Sequence, residues 1–400
     1  MAAPGLEHVK ERPRGLPAVY WALWVGTVAN RLGTVVQPFL AIYLVQQSGL
    51  DVAKAGRVLG LVGLGALAAG PIGGALGDRL GRATALGITT TLAALAMVAL
   101  GLSRGSLAVS ASAFAVGLFG AMYGPVCGAI IADVVPREDR PRAYALRYWG
   151  ANIGFAVAPA LAGLLATESY STLFFVDAGT TLILGAAVIP FLQKGRPVAS
   201  DGKARSLRAL ASPYRHGAFL TFSLISALVM LVNRQVFTTL PLDIRAHSIG
   251  PRELGLLLGL NGAAIALLQP LVSRLTHRSR RVVLLSLGAL LTGVGFGLPG
   301  FVAPSVASYA ASIVLWTLGE MMMAGATPSL VADFASHDLQ GSYQGAFQLG
   351  SGMAGFAAPV VGAFVMAHFG AAALWRACLV AGLVAAAGFL LRVREPADAR

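Results

Sequence analysis

The sequence predicts an all-α membrane protein of twelve transmembrane helices, built as two six-helix repeats. Three observations predict it. The chain has 400 residues, of which 56% are hydrophobic and 12% charged, with a mean hydropathy of +0.73; a water-soluble chain carries about 25% charged residues. Its apolar residues gather into segments of the length, about 20 residues, that a helix needs to cross a hydrocarbon layer about 30 Å thick. Finally, residues of the first half recur in the second at an offset near half the chain.

The spans are expected near 17–45, 55–77, 83–103, 108–134, 143–166, 171–192, 216–242, 253–275, 282–302, 306–334, 342–367 and 371–392. Residues 1–15 are polar and basic, with Lys10, Arg12 and Arg14. The apolar run from Leu16 is about twice a signal-peptide core and lacks a small-residue cleavage site, so it reads as a retained first span. One sizeable interruption, 193–215, is rich in Lys, Arg, Ser and Pro. It divides the chain into an N-terminal half (1–192), a linker (193–215) and a C-terminal half (216–400).

Charge sets the orientation. Of 30 Lys and Arg, 21 fall at the two termini, in the linker and in the loops on that same side. Six occupy the opposite loops (Lys54, Arg57, Arg104, Arg245, Arg252, Arg376), and Arg31, Arg147 and Arg234 lie inside spans. The positive-inside rule then places both termini and the linker in the cytoplasm of a multi-pass protein of the cell (inner) membrane. The net charge of +13 invites a nucleic-acid reading. Its location in short loops argues instead for topology and for anionic lipid headgroups. Cys127 and Cys378 sit in apolar runs, and the six histidines have no ligand spacing. With no phosphate loop, no Ser/His/Asp grouping and no metal motif, neither an enzyme nor a cofactor is expected.

The repetition is specific. Asn30-Arg31 followed by Pro38 recurs as Asn233-Arg234 followed by Pro241, and Gly60, Gly63 and Pro71 recur as Gly259, Gly262 and Pro270. Ala132-Asp133 recurs as Ala332-Asp333, and Ala158-Pro159 as Ala358-Pro359.

Residues 70–86 join the second and third spans through an acid and two arginines. Arg79 and Arg82 are too costly to leave in lipid, so they mark a tight turn, and Gly81 suits the reversal. Gly74, Asp78, Arg79, Gly81 and Arg82 together resemble the signature loop of the major facilitator superfamily. With the half-chain repeat, the resemblance covers essentially the whole chain and implies two parallel six-helix repeats, the major facilitator fold. The second copy, Arg274 to Arg281, keeps the basic charge and has no acid, so the role of Asp78 belongs to one half. In resembling exporters an acid ending the fourth span pairs with an arginine of this loop and holds one conformation shut. Asp133 with Arg79 or Arg82 is the counterpart, and Asp78 would face the partly positive start of the eleventh helix. The alternative is solvated loop charges of little energetic weight.

The fifth span, with Gly154, Pro159 and Gly163, resembles the antiporter signature of the superfamily, although Ala158 and Ala162 replace expected glycines. Pro359 gives the eleventh span a similar character. Small residues allow close helix approach and proline a bend.

Charge at depth marks candidate chemistry. Arg31 lies about 20 Å along the first span, too deep to snorkel. It reads either as a cavity-facing cation biasing a nearby carboxylate or as half of a fixed ion pair, and Arg234 carries the same two readings. Glu320, midway along the tenth span, is the expected proton-coupling site, with a structural Glu–Arg pair as the alternative. Asp177 of the sixth span reads as a local cap or ion pair. Asn30 is expected on the cavity wall, and Gln37, Asn152, Asn233, Asn261, Gln344 and Gln348 are polar groups for the cavity or for interhelical hydrogen bonds. The resemblance implies a proton-driven transporter of the drug:proton antiporter branch, exporting small amphipathic molecules by alternating access, with a proton-coupled nutrient symporter as the alternative. Its expected partners are a small-molecule substrate, protons and the lipid bilayer, without nucleic acid, and the protein is expected to be monomeric.

Overall fold

The computed structural model describes residues 15–37, 39–136, 139–192, 212–276, 279–335 and 339–393. The side-chain surroundings of Pro71, Gly74, Asp78, Pro141, Ala145, Tyr148, Gln340 and Gly341 lie outside that description, as does most of the expected linker (193–211). All the regular structure described is helical, and eleven helices are long and apolar enough to cross a membrane. The twelfth span is the first, and it is broken. Its two pieces, Ala18–Leu32 and Leu40–Gln46, flank a seven-residue gap where the sequence has Gly33 and Pro38.

The remaining spans are Val52–Leu80, Arg82–Leu102, Ser106–Val134, Arg140–Glu168 and Tyr170–Leu192 in the first half. In the second half the seventh span starts as Gly217–Asn233, tightens into a 3₁₀ turn at Arg234–Phe237 and resumes as Thr239–Ala246. Pro251–Thr276, Arg281–Gly297, Val306–Asp333, Gln340–Phe369 and Ala371–Arg392 complete the bundle. Spans 1 and 7 therefore break at corresponding places in their repeats, one residue past Arg31 in the first and at Arg234 itself in the second. A four-residue 3₁₀ turn, Ser212–Arg215, leads into the second half.

Helix ends follow ordinary capping chemistry. The Asp51 carboxylate accepts the Lys54 amide at 2.8 Å to start span 2, and Ser305 and Ser308 form a reciprocal capping box at span 10. Gly81 has φ +81° and ψ 159° between spans 2 and 3, a conformation costly for any residue with a Cβ.

The apolar core explains the overall shape. Call the side where span 1 starts and span 12 ends the near side, and the other the far side. On the far side a single cluster joins both halves, with Val36, Leu40 and Leu59 in the same core as Leu240, Leu258 and Trp375. On the near side there are two clusters, Tyr20, Leu86 and Ile130 in one and Phe219, Leu285 and Phe389 in the other. The halves touch through span 2 against span 11 and span 5 against span 8. A Cβ on Gly163 would lie 2.6 Å from the Pro251 carbonyl oxygen, and one on Gly63 2.6 Å from that of Gly355. Both contacts lie on the far side or at mid-span. Gly70 and Gly345, nearer the other end of the same helices, have open space around them. The bundle is sealed on the far side and splayed on the near side.

Candidate functional site

Three neighbouring hollows share lining residues; the first two are walled by both halves and the third by residues of the second half. The largest, 640 Å³, lies between spans 2 and 11 and is lined by Gln37, Leu59, Val62, Leu67, Arg234 and Gln348 among others. A second of 270 Å³ has Phe155, Asn233, Arg234, Asn261, Trp316 and Glu320 on its wall. A third of 360 Å³ is lined by Asn233, Gln269, Glu320, Met321, Met323 and Gln344. Arg234 is shared by the first two, and Asn233 and Glu320 by the last two.

The break in span 7 builds this wall. A turn that interrupts an α-helix leaves backbone groups without their usual partners, a serious cost inside a bilayer unless other groups replace them. Gln235, fully buried, donates from Nε2 to the carbonyls of Leu231 (3.2 Å) and Ala358 (3.1 Å), and Thr239 donates to its Oε1 at 2.8 Å. Thr238 donates to the Arg234 carbonyl at 3.2 Å. This ties the turn to span 11 and presents Asn233 and Arg234 to the hollows.

Glu320 projects from the middle of span 10. Asn261 of span 8, only 4% exposed, donates to Glu320 Oε2 at 3.1 Å and to Thr317 Oγ1 at 3.0 Å. Arg234 is close enough for its charge to act on Glu320, yet no direct ion pair joins them among the described residues. Asn233 Oδ1 is buried with no hydrogen-bond partner there.

Arg31 belongs to a different group. Its Cβ packs where a Cβ on Gly154 would sit, and its charge acts on Asp177 of span 6, which is 6% exposed and accepts the Val36 amide inside the break of span 1. Asn30 lies beside it but away from the hollows: 2% exposed, it donates to Thr181 Oγ1 at 2.9 Å and accepts from the Tyr123 hydroxyl at 2.8 Å. The expectation that Asn30 faces the cavity is corrected, because both ends of its amide are used between spans 1, 4 and 6. Asn152 is half-buried on span 5. The structure thus assembles Arg234, Asn233, Gln37, Gln344 and Glu320 around the hollows and separates Arg31 and Asn30 from Glu320.

On the near side, Arg82 Nε donates to Asp133 Oδ2 at 2.7 Å, while Arg79 is exposed. Arg281 pairs with Asp333 at the equivalent place in the second half. The expectations for Gly74 and for the Asp78 carboxylate lie outside the described residues. Pro159 and Pro359 are each inside a continuous helix.

One buried carboxylate went unread in the sequence. Asp243, 2% exposed, accepts from the Tyr309 hydroxyl and from Trp375 Nε1, both at 2.8 Å, and lies 3.6 Å from His247 Nδ1. It ties spans 7, 10 and 12 together on the far side. Span 7 was expected to stop at residue 242, which assigned this acid to a loop.

The profile of the Major Facilitator Superfamily matches residues 23–247 and again 222–400. The chain belongs to the major facilitator superfamily. It is a membrane transporter and not an enzyme, and transporters of this family need no cofactor. Similar sequences include the uncharacterized transporter YttB of Bacillus subtilis, 28% identical over 94% of this chain and 95% of its own. Multidrug resistance protein MdtH of Aeromonas salmonicida is 26% identical over 95% and 97% of the two chains. A Na(+), Li(+), K(+)/H(+) antiporter of Planococcus maritimus is 25% identical over 79% and 81%. Among solved structures, nucleoside transporter NupG superposes with a TM-score of 0.79 at 15% identity, covering 94% of this chain and 98% of that one. Peptide transporter POT gives 0.78 at 17% identity over 95% of each. At those identities the structural likeness concerns the fold.

Proposed function

We propose that this major facilitator protein is a proton-driven exporter of small amphipathic molecules that works by alternating access. The observation that carries the reading is Glu320, a carboxylate at mid-span on the wall of a hollow between the halves, with Asn261 donating to it and, among the described residues, no direct ion pair to the arginine beside it. Such a group can exchange a proton with the cavity and sense what else is bound there. The apolar walls suit an amphipathic body, and the kinship with a multidrug resistance protein supports export.

In this reading residues 1–192 and 216–400 rock as two bodies about the level of Glu320, joined by the linker 193–215. The near side is the cytoplasm, both termini lie there, and one chain suffices for transport. The Arg82–Asp133 and Arg281–Asp333 pairs brace the near-side ends of the two bodies, and residues 74–82 supply the latch that closes that side in the opposite state.

Inside-out vesicles test it. A substrate that dissipates a preformed pH gradient in vesicles holding the protein, and not in vesicles holding Glu320→Gln, supports the proposal. Transport that proceeds without proton movement would remove it.

A further inference from the structure

Arg234 and Glu320 place opposite charges on the wall of one 270 Å³ hollow without neutralising each other by contact. Asn261 occupies Oε2 of Glu320. Among the described residues the Arg234 side chain, on the wall of two hollows, makes no hydrogen bond or ion pair, and the neighbouring Asn233 Oδ1 is a buried acceptor without a donor. Unmet demands of this kind are costly at depth. They specify a complementary ligand: an acidic group for Arg234, and an ammonium to donate to Glu320 and Asn233. The adjoining 640 Å³ hollow, walled by Leu59, Val62, Leu67 and Leu349, has room for an apolar body.

We infer that the substrate class is an amphipathic zwitterion, with its acid on Arg234 and its ammonium between Glu320 and Asn233 Oδ1. The inference rests on the exporter reading and deepens it through the sign of the coupling. A purely anionic ligand would bind Arg234 best when Glu320 is protonated, so ligand and proton would travel together. A purely cationic ligand needs ionised Glu320 but meets repulsion from Arg234. A zwitterion needs the ionised carboxylate and is attracted by the arginine. Ligand and proton then compete for Glu320, which is what exchange requires. One net-neutral ligand leaves for each proton that enters, so the cycle moves one positive charge inward.

The test uses one fluorescent scaffold in three charge forms: Nε-dansyl-lysine, its methyl ester (cation only) and its Nα-acetyl derivative (anion only). Binding to the purified full chain is followed by dansyl fluorescence at neutral and mildly acidic pH. The zwitterion is expected to bind roughly tenfold or more tightly than either blocked form, since each blocks one charge-assisted hydrogen bond, and to lose that advantage in acid. Arg234→Gln should make the ester the best ligand. Glu320→Gln should make the acetyl form the best, with little pH dependence. These swaps of rank cannot arise from a variant that merely folds poorly. A native protein that prefers a blocked form, fails to bind the zwitterion, or keeps its ranking in both variants overturns the inference. Proton flux separates this failure from that of the exporter reading. A pH-gradient response to the ester alone retains export and discards the zwitterion. The predicted binding ranks without any proton flux retain the ligand class and discard proton-driven export.

Discussion

Placing a methyl group on Gly63 should force the bundle out of its far-side-sealed arrangement. A Cβ at this position would stand 2.6 Å from the Gly355 carbonyl oxygen, 2.7 Å from its carbon and 2.8 Å from Phe356 Cα. All three are backbone atoms of span 11, so no side-chain rotation relieves the overlap. Nonpolar atoms prefer separations of about 3.5 Å or more, which requires the helices to part locally by up to about 1 Å. Overpacking of this kind costs about 1–3 kcal/mol. The strain falls only on the state in which spans 2 and 11 meet at this point, so Gly63→Ala should shift the conformational balance about 5- to 150-fold away from it. A cysteine at Gln348, exposed in the near-side hollow, reports the shift. The native Cys127 and Cys378 are buried, and replacing them with alanine gives a clean background. Alkylation of Gln348→Cys by a membrane-impermeant maleimide should slow when Gly63→Ala is added. An unchanged rate, with the doubly substituted protein still folded, would refute the argument that this contact seals the far side.

Glu320→Gln should abolish proton-coupled transport while leaving the protein monodisperse, checked by pH-gradient dissipation alongside size-exclusion chromatography. Asp243→Ala should destabilise the fold by about 2–4 kcal/mol, because the Tyr309 hydroxyl and the Trp375 indole N–H would be left buried without an acceptor; scanning fluorimetry in detergent reads this as a lower melting temperature. Asp133→Asn should slow turnover with little change in substrate affinity, and a double-mutant cycle with Arg82→Gln should show a coupling of about 0.2–1 kcal/mol, as for other partly exposed pairs.

Much of the architecture was legible because lipid imposes a coarse rule on the chain. Long apolar helices are unavoidable where no water can satisfy the backbone, so spans 2 to 6 and 8 to 12 fall within a few residues of their expected bounds. The break in span 1 was not foreseen as a break. The duplicated Asn-Arg marked its position, but a helix interruption depends on which groups replace the lost hydrogen bonds. Those groups, Asp177 from span 6 and Gln235 within span 7, become partners only once the helices are packed. Glu320 and Arg234 stood out as charges at depth, and the structure brings them to one hollow. Arg31 stood out equally and lies with Asp177 instead, because the two halves keep separate polar groups at their two breaks. Asp243 was missed since it sits at a helix end, where acids are commonplace, and its burial comes from Tyr309 and Trp375, far away in the chain.

Hydropathy, the charge of the loops and the half-chain repeat therefore specify twelve crossings, two related bundles and the depth of each ionisable group, since all of these depend on position along a helix axis. Which way a side chain turns about that axis, and what it meets there, depends on how neighbouring helices rotate and approach. Close glycine contacts such as Gly63 with Gly355 and Gly163 with Gly255 set that approach on the far side. Packing alone thus brings Glu320 beside Arg234, leaves Asn233 Oδ1 without a donor among the described residues and opens the hollows between the halves.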